Sequence, residues 1–227
     1  MNKRESKKER RRKNNLFQWL VPVILFAVII VVIGGVIVYN SQATKVKVVE
    51  PQTISHPNAK DTGAGDPNAK VKVFVFEDFQ CPNCGVYSMQ LEPIIMQNYV
   101  ATGKVYYQFV PFSFIGPESV AAAEASYCAN EQGKFWEYHD YIFANQNGEN
   151  QGAFNNPTLV AFAEKMGLNM ASFNDCLSTN KYSQKVKDDK AFAVQSGATG
   201  SPYFLVNSKL VGQNELIPAI ESELTGK

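Results

Sequence analysis

Two cysteines one helical turn apart, Cys81 and Cys84, are the residues of this 227-residue chain best suited to chemistry. A C-x-x-C pair occurs as a redox-active dithiol, as half of a metal site, or by coincidence of composition. Pro82 predicts that a helix begins directly after the first cysteine, and the β-rich run 71–76 predicts that a strand leads into it. The free N–H groups and positive dipole end of a helix stabilise a thiolate in its first turn. The pattern therefore favours a redox-active dithiol.

The other two cysteines, Cys128 and Cys176, lie on apolar faces of predicted helices, 48 residues apart. Because Cys81 and Cys84 are already neighbours, the simplest pairing leaves these two to form a structural disulfide. Closing such a loop stabilises a protein by about 4 kcal/mol in the chain-entropy account. Two separate buried thiols are the alternative. A zinc site made of all four cysteines is disfavoured, because structural zinc ligands come in two closely spaced pairs, and no metal site is predicted.

Three further residues are candidates for supporting roles. Asp78 and Glu77 precede the first cysteine by three and four residues, where a carboxylate can move protons during thiol exchange, and Asp78 is the candidate for this role; the alternative is a solvated strand end. Pro202 directly precedes a predicted strand, where a proline in a tight turn can be cis, although the sequence by itself favours the trans form. His139 could pair with a reactive cysteine, although a polar-edged position on an amphipathic helix is the commoner explanation. No cofactor is predicted.

The first 39 residues indicate a membrane anchor. Residues 1–15 hold eight of the 22 basic side chains and two of the 21 acidic ones, so the rest of the chain is acidic. An acidic globular part argues against nucleic-acid binding. Residues 16–39 carry no charge and are long enough to cross a bilayer as a helix, with residues 1–15 on the cytoplasmic side. A cleavable signal peptide is the alternative, but its apolar region would be shorter.

Residues 40–69 are predicted to form a flexible linker, because Asn, Ser, Gln, Thr, Pro, Gly and Asp dominate them. The folded domain is predicted over 70–227. With a single-pass anchor in the cell membrane, this domain lies outside the cytoplasm, where disulfides persist.

The predicted elements of the domain follow the order β-α-β, a helical block, and β-β-α. Strands are predicted from β-branched and aromatic residues at 71–79, 105–111, 203–206 and 209–211. Helices are predicted from apolar periodicity and from proline and glycine at their ends, at 82–102 with a kink at Pro93, 118–130, 135–143, 157–166, 171–177, 181–195 and 216–224. The order is that of an α/β protein, a thioredoxin fold with an all-helical insertion at about 117–197.

Three segments of the domain resemble the membrane-anchored DsbA-like thiol–disulfide oxidoreductases of bacteria. The first is Asp-Phe-Gln-Cys-Pro-Asn-Cys at 78–84. The second combines Ala-Ser-Tyr-Cys at 125–128 with Gly-Lys-Phe-Trp-Glu-Tyr-His-Asp at 133–140, and the third is Gly-Ser-Pro-Tyr-Phe at 200–204. The resemblance covers roughly residues 65–225.

This resemblance implies roles for the site residues. Cys81 is implied to be the exposed nucleophile and Cys84 the buried resolving thiol. Pro202 is implied to be a cis-proline opposite the dithiol, and Ser201 to offer its backbone to the substrate. The reoxidising partner implied is a quinone-linked membrane protein.

Family members also pair cysteines placed like Cys128 and Cys176. Two departures from the family pattern bear on the redox potential. Asn83 stands where the best-known members carry histidine, which helps to stabilise the thiolate. Val75, six residues before the first cysteine, occupies a place that is often acidic in thioredoxin folds.

Three functions are compatible with these residues. The first is an oxidase that forms disulfides in client proteins with cysteine thiols, and this is the function predicted. The second is a reductase or isomerase of the same fold, which Asn83 leaves open. The third is a surface-tethered binding module with a structural C-x-x-C, against which the helix-start position of Cys81 argues.

Overall fold

The computed structural model describes residues 29–31, 33 and 46–226. Residues 29–31 and 33 are helical and their side chains are exposed. The predicted basic tail at 1–15, the rest of the predicted anchor at 16–39 and the first residues of the predicted linker lie outside the described residues. Within the described part of the chain, no helix has both the length and the apolar character that crossing a membrane requires.

A five-stranded sheet in the order β1-β3-β2-β4-β5 leads into the dithiol. The strands are β1 (Gly63–Ala64), β2 (Val71–Glu77), β3 (Val105–Pro111), β4 (Tyr203–Val206) and β5 (Lys209–Val211). β2 is central, since it pairs in parallel with β3 and antiparallel with β4. A strand flanked on both sides is nearly continuously apolar, which is how the sequence of β2 reads. The four predicted strands are confirmed, although the first ends at Glu77 rather than at Phe79.

The helices confirm a thioredoxin fold with a helical insertion. They are α1 (Pro82–Gln90), α2 (Glu92–Ile95), α3 (Pro117–Asn130), α4 (Phe135–Ala144), α5 (Asn156–Lys165), α6 (Met170–Ser178), α7 (Ser183–Gln195) and α8 (Leu216–Thr225). The insertion consists of α3 to α7, and α8 packs on β2 and β4. Their bounds from α3 onward agree with the predicted ones to within about two residues, which is the usual uncertainty at helix ends.

The prediction of a helix over 82–102 with a kink at Pro93 is right about the place of the irregularity and wrong about a single continuous helix. The helix breaks at Leu91, whose N–H still bonds to the Tyr87 carbonyl, and α2 begins at the next residue with Pro93 in its first turn. Because proline lacks an N–H and clashes with the preceding turn, it begins a new helix rather than bending the old one. A π-helical turn, Met96–Val100, continues α2.

The prediction of a flexible linker is wrong for residues 46–69, which pack on the domain. β1 pairs antiparallel with β3. Trp136 Nε1 donates to the Gly63 carbonyl oxygen at 3.1 Å, and the His56 ring stacks on the Trp136 ring at 4.2 Å. Composition suggested a linker because the residues typical of turns also surround a two-residue edge strand.

An aromatic core lies between the sheet and α4, with His139 at its centre. The His139 ring is fully buried, 4.9 Å from the Phe109 ring and 4.8 Å from the Phe143 ring. Burial lowers the pKa of His139 to about 4, so the imidazole is neutral at pH 7. Its two nitrogens face the carboxylates of Glu92 and Asp140. His139 is therefore a buried core residue, and both interpretations made from the sequence, a cysteine partner and a polar helix edge, are wrong.

The two cysteine pairs are kept apart. Cys128 on α3 and Cys176 on α6 form a disulfide within the insertion, with an S–S distance of 2.06 Å. Cys81 and Cys84 are free thiols. The four cysteines therefore do not assemble into a common site.

Candidate active site

The turn between β2 and α1 presents the dithiol. Cys81 is the N-cap of α1, with extended backbone angles (φ −67°, ψ 120°), and Pro82 follows in the first turn. Proline starts a helix well because its fixed φ suits the helix and its missing N–H would be unpaired there anyway. Cys81 is 7 % exposed and Cys84 is fully buried, so Cys81 is the more accessible sulfur. The side chains of Pro82 and Asn83 both face solvent.

The surroundings of Cys81 favour its thiolate. A hydrogen bond from the Cys84 thiol is the largest cause that lowers the pKa of Cys81 to about 6. Ser201 and the backbone N–H groups of Asn83 and Cys84 act in the same direction, whereas burial opposes them. At pH 7 Cys81 is therefore mostly a thiolate, which is both the nucleophile and the better leaving group in disulfide exchange.

Cys84 remains a thiol and lies next to the buried carboxyl group of Glu77. Burial, then the hydrogen bond to Cys81 and the charge of Glu77, raise the pKa of Cys84 well above its usual value. Glu77, the last residue of β2, is fully buried, and its carboxyl group lies within hydrogen-bond reach of the Cys84 thiol. Burial, followed by the charges of Glu92 and Cys81, raises the pKa of Glu77 and favours its neutral acid form. A neutral acid in this position can give a proton to Cys84 as that sulfur leaves.

The role predicted for Asp78 falls instead to Glu77, the neighbouring carboxylate, and the pattern of β2 contains the signal for it. Alternate residues of a strand face the same side of the sheet. Val71, Val73 and Val75 are fully buried, and Glu77 continues the same alternation. The carboxyl group that thioredoxin folds often carry at the position of Val75 is therefore provided by Glu77, two residues later on the same face of β2.

Asp78 does not face the cysteines, which corrects both interpretations made from the sequence. Its carboxylate is fully buried and accepts hydrogen bonds from the Ser119 hydroxyl at 2.6 Å and from the backbone N–H groups of Gln80, Phe114 and Ile115. These bonds tie the active-site turn to the loop that leads into α3. Asp78 thus positions the turn and is neither a solvated strand end nor a free proton carrier.

The loop before β4, which contains Ser201 and Pro202, lies beside the dithiol although it is far from it in sequence. Tyr203 pairs with Phe76 across β4 and β2, which puts the preceding residues beside the end of β2. The Ser201–Pro202 peptide bond is cis. Cys81 Sγ lies 3.4 Å from the Ser201 carbonyl oxygen, to which it donates when it is protonated. The structure therefore brings Cys81, Cys84, Ser201 and Pro202 together.

A glutamine from the loop after α4 supports the turn and was not predicted. Gln146 Nε2 donates to the carbonyl oxygens of Phe79 at 2.7 Å and of Cys81 at 3.1 Å. Gly85 leaves room for this contact, because a Cβ there would collide with the Gln146 amide. No local pattern connects residues this far apart in the chain, so the sequence holds no signal for the contact.

This topology, with a C-x-x-C pair at the start of the first helix, defines a thioredoxin-fold protein with a dithiol site. The sequence model of the family described as thioredoxin matches residues 58–222. The probable disulfide bond formation protein D of Bacillus anthracis is 31 % identical over 167 residues, which cover 70 % of this chain and 76 % of that protein. The chain therefore belongs to the thioredoxin family, among its DsbA-like disulfide oxidoreductases.

Solved structures of related proteins share the fold. Oxidised BdbD from Bacillus subtilis aligns with a TM-score of 0.68 at 24 % identity, over 78 % of this chain and 100 % of that one. DsbA from Chlamydia trachomatis aligns with a TM-score of 0.63 at 25 % identity, over 78 % of this chain and 96 % of that one.

The chain also matches a part of much longer proteins. Na(+)/H(+) antiporter NhaA 1 of Salinispora arenicola is 29 % identical over 168 residues, 73 % of this chain but 24 % of that protein. The chain thus spans about a quarter of the length of this relative.

Proposed function

We propose that this protein is an extracytoplasmic thiol–disulfide oxidoreductase that forms disulfides in secreted or surface proteins. The asymmetry of the dithiol carries the proposal: the pKa of Cys81 is lowered to about 6, whereas that of Cys84 is raised well above its usual value. Exchange needs this arrangement, because the outer sulfur attacks or leaves while the inner one resolves. A structural C-x-x-C in a tethered binding module requires neither feature.

The reaction starts from the Cys81–Cys84 disulfide. A client thiolate attacks Sγ of Cys81, the S–S bond breaks, and Cys84 leaves with the electron pair and takes a proton, which Glu77 can supply. A second client thiolate attacks the client sulfur of the mixed disulfide, and Cys81 leaves as a stable thiolate. The client is oxidised by two electrons and the dithiol is reduced by two.

The thiolate stability of Cys81 supports the oxidising direction. A disulfide whose sulfur leaves as a stable anion is the stronger oxidant, because its reduced form is favoured. Reduction or isomerisation of client disulfides by the same dithiol is the alternative, and the redox potential distinguishes the two.

The proposal places the dithiol outside the cytoplasm, on a single-pass anchor at 16–39 with residues 1–15 in the cytoplasm. The Cys128–Cys176 disulfide supports an oxidising location, because disulfides persist there. Each turnover leaves the dithiol reduced, so a reoxidising partner is needed. The proposal assigns this step to a quinone-linked membrane protein, on the strength of the family resemblance.

A glutathione redox titration of the full chain in detergent tests the direction. We expect a midpoint well above the potential of about −270 mV that is typical of thioredoxin. Oxidised protein should also convert a reduced two-cysteine client peptide to its disulfide, and the Cys81→Ser variant should not. A midpoint near about −270 mV would overturn the oxidase in favour of the reductase, and client oxidation that survives Cys81→Ser would overturn both.

Labelling of intact cells tests the location. A membrane-impermeant maleimide should react with Cys81 in the Cys84→Ser variant and leave the Cys81→Ser/Cys84→Ser control unlabelled. Labelling that requires the cells to be lysed would contradict an extracytoplasmic dithiol.

A further inference from the structure

Three ionisable side chains from separate parts of the chain converge in the interior. They are His56 in the segment 46–69, Glu92 in α2 and His139 in α4, and their nearest ligand atoms all lie within 4.8 Å of one another. His56 Nε2 is 3.5 Å from Glu92 Oε1, and His139 Nε2 is 3.9 Å from Glu92 Oε2. The exposed side-chain fractions are 5 %, 0 % and 0 %.

The facing atoms of this cluster are not hydrogen-bonded. His56 Nε2, both oxygens of Glu92 and His139 Nε2 are all buried without a hydrogen-bond partner. Their separations exceed the roughly 2.7–2.9 Å of a charge-assisted hydrogen bond. Buried polar atoms are almost always paired, because leaving one unpaired is costly. A cation between these four atoms would satisfy all of them at once.

We propose that His56, Glu92 and His139 bind one divalent transition-metal ion of the zinc class. A tetrahedral zinc ion with bonds of about 2.0–2.2 Å holds its ligand atoms about 3.4 Å apart. The separations of 3.5 Å from His56 Nε2 to Glu92 Oε1 and of 3.9 Å from His139 Nε2 to Glu92 Oε2 are close to this value, and each imidazole faces a different oxygen of the carboxylate. Two imidazoles and one carboxylate suit zinc and its neighbours, whereas calcium and magnesium prefer oxygen ligands alone. The sequence analysis predicted no metal site because these ligands share no short spacing.

Neighbouring side chains already orient both imidazoles for this role. His139 Nδ1 lies 3.0 Å from Asp140 Oδ1. A metal ion on Nε2 requires the tautomer with its proton on Nδ1, and in that tautomer Nδ1 donates to this carboxylate. A carboxylate behind a histidine is the usual support for a metal ligand, since it fixes the tautomer and the ring orientation. The His56 ring is held by stacking on Trp136 at 4.2 Å.

A bound ion would clamp the segment 46–69 to the rest of the domain. His56 lies in that segment, whereas Glu92 belongs to α2, between β2 and β3, and His139 belongs to α4 of the insertion. Metal binding therefore couples the attachment of this segment to the stability of the whole domain.

Calorimetric titration of the full chain in detergent, after treatment with a chelator, tests the site. The Cys81→Ser/Cys84→Ser variant serves as the parent, because a free dithiol binds zinc itself. We expect the parent to bind one Zn²⁺ per chain, to bind no Ca²⁺, and to melt at a higher temperature with Zn²⁺.

Matched variants of this parent locate the site. His56→Gln should abolish stoichiometric binding, whereas Glu50→Gln, in the same segment but outside the cluster, should bind as the parent does. Asp140→Asn should keep one site per chain with affinity weakened about 10- to 100-fold. Equal binding by His56→Gln and Glu50→Gln would overturn the proposal.

X-ray absorption at the zinc edge of the loaded parent needs no variant of the cluster. The expected spectrum shows imidazole scattering from two histidines. A shell of oxygen atoms alone would overturn the proposal. A parent that binds less than one Zn²⁺ per chain would also overturn it, because the facing atoms of the cluster would then be held together by shared protons and not by a metal ion.

Discussion

Replacing Cys84 with alanine should raise the pKa of Cys81. The hydrogen bond from the Cys84 thiol is the largest of the causes that lower the pKa of Cys81 to about 6. Alanine removes that donor but leaves the helix start, the backbone N–H groups and the Ser201 side chain in place. The variant therefore separates the contribution of the second cysteine from that of the fold.

The expected size follows from the strength of one hydrogen bond. A hydrogen bond to a charged group contributes about 1.5–3 kcal/mol, and a pKa changes by one for about 1.36 kcal/mol. Losing the bond should therefore raise the pKa of Cys81 by about one to two, from about 6 to about 7–8. Cys84→Ser is the matched control, because a hydroxyl retains the donor and should keep the pKa near that of the native dithiol.

The pH dependence of iodoacetamide alkylation measures the effect. Cys81 is the single free thiol in both variants, since Cys128 and Cys176 are bonded to each other. The midpoint of the alkylation rate reports the thiolate fraction directly. A midpoint near 6 in the alanine variant would refute this reasoning, because it would mean that the helix start alone stabilises the thiolate.

Three further predictions concern the supports of the site. Because burial raises the pKa of Glu77, the native domain should lose stability as the pH rises above the usual carboxyl range. The Glu77→Gln variant should lack this loss. Guanidinium unfolding at about pH 5 and pH 8 measures the difference in both proteins. Replacing Cys128 and Cys176 with alanine should lower the free energy of unfolding by about 4 kcal/mol, which the native protein in reductant should reproduce. Asp78→Ala should cost about 3 kcal/mol or more of stability by unpairing buried donors, while the alkylation midpoint of Cys81 stays near 6.

The central sheet could be predicted from the sequence because its signals are local. β2 is marked by continuous apolar residues and α1 by a proline next to a cysteine, and both patterns need only a few neighbouring residues. β1 could not be predicted, because two residues carry no periodicity and its stability comes from pairing with β3. The break at Leu91 depends on how Pro93 resolves its steric clash, which packing decides.

The candidate site also contains some features that the sequence reveals and others that it does not. The two cysteines and the cis-proline position are visible as motifs, and the alternation of β2 contains Glu77. The contacts of Asp78 with Ser119, and of Gln146 with Cys81, join residues 41 and 65 positions apart. Such contacts are products of the tertiary fold, so no window of sequence contains them.

Gln146 supports the active-site turn through the backbone of the turn, so the two residues between the cysteines can be substituted without loss of this support. Its amide binds the backbone carbonyls of Phe79 and Cys81, and it makes no use of the exposed side chains of Pro82 and Asn83. Substitutions at Asn83 therefore alter the surroundings of the thiolate without removing the support. In engineering terms, the redox potential and the rigidity of the turn are separate variables, provided that Gly85 remains glycine.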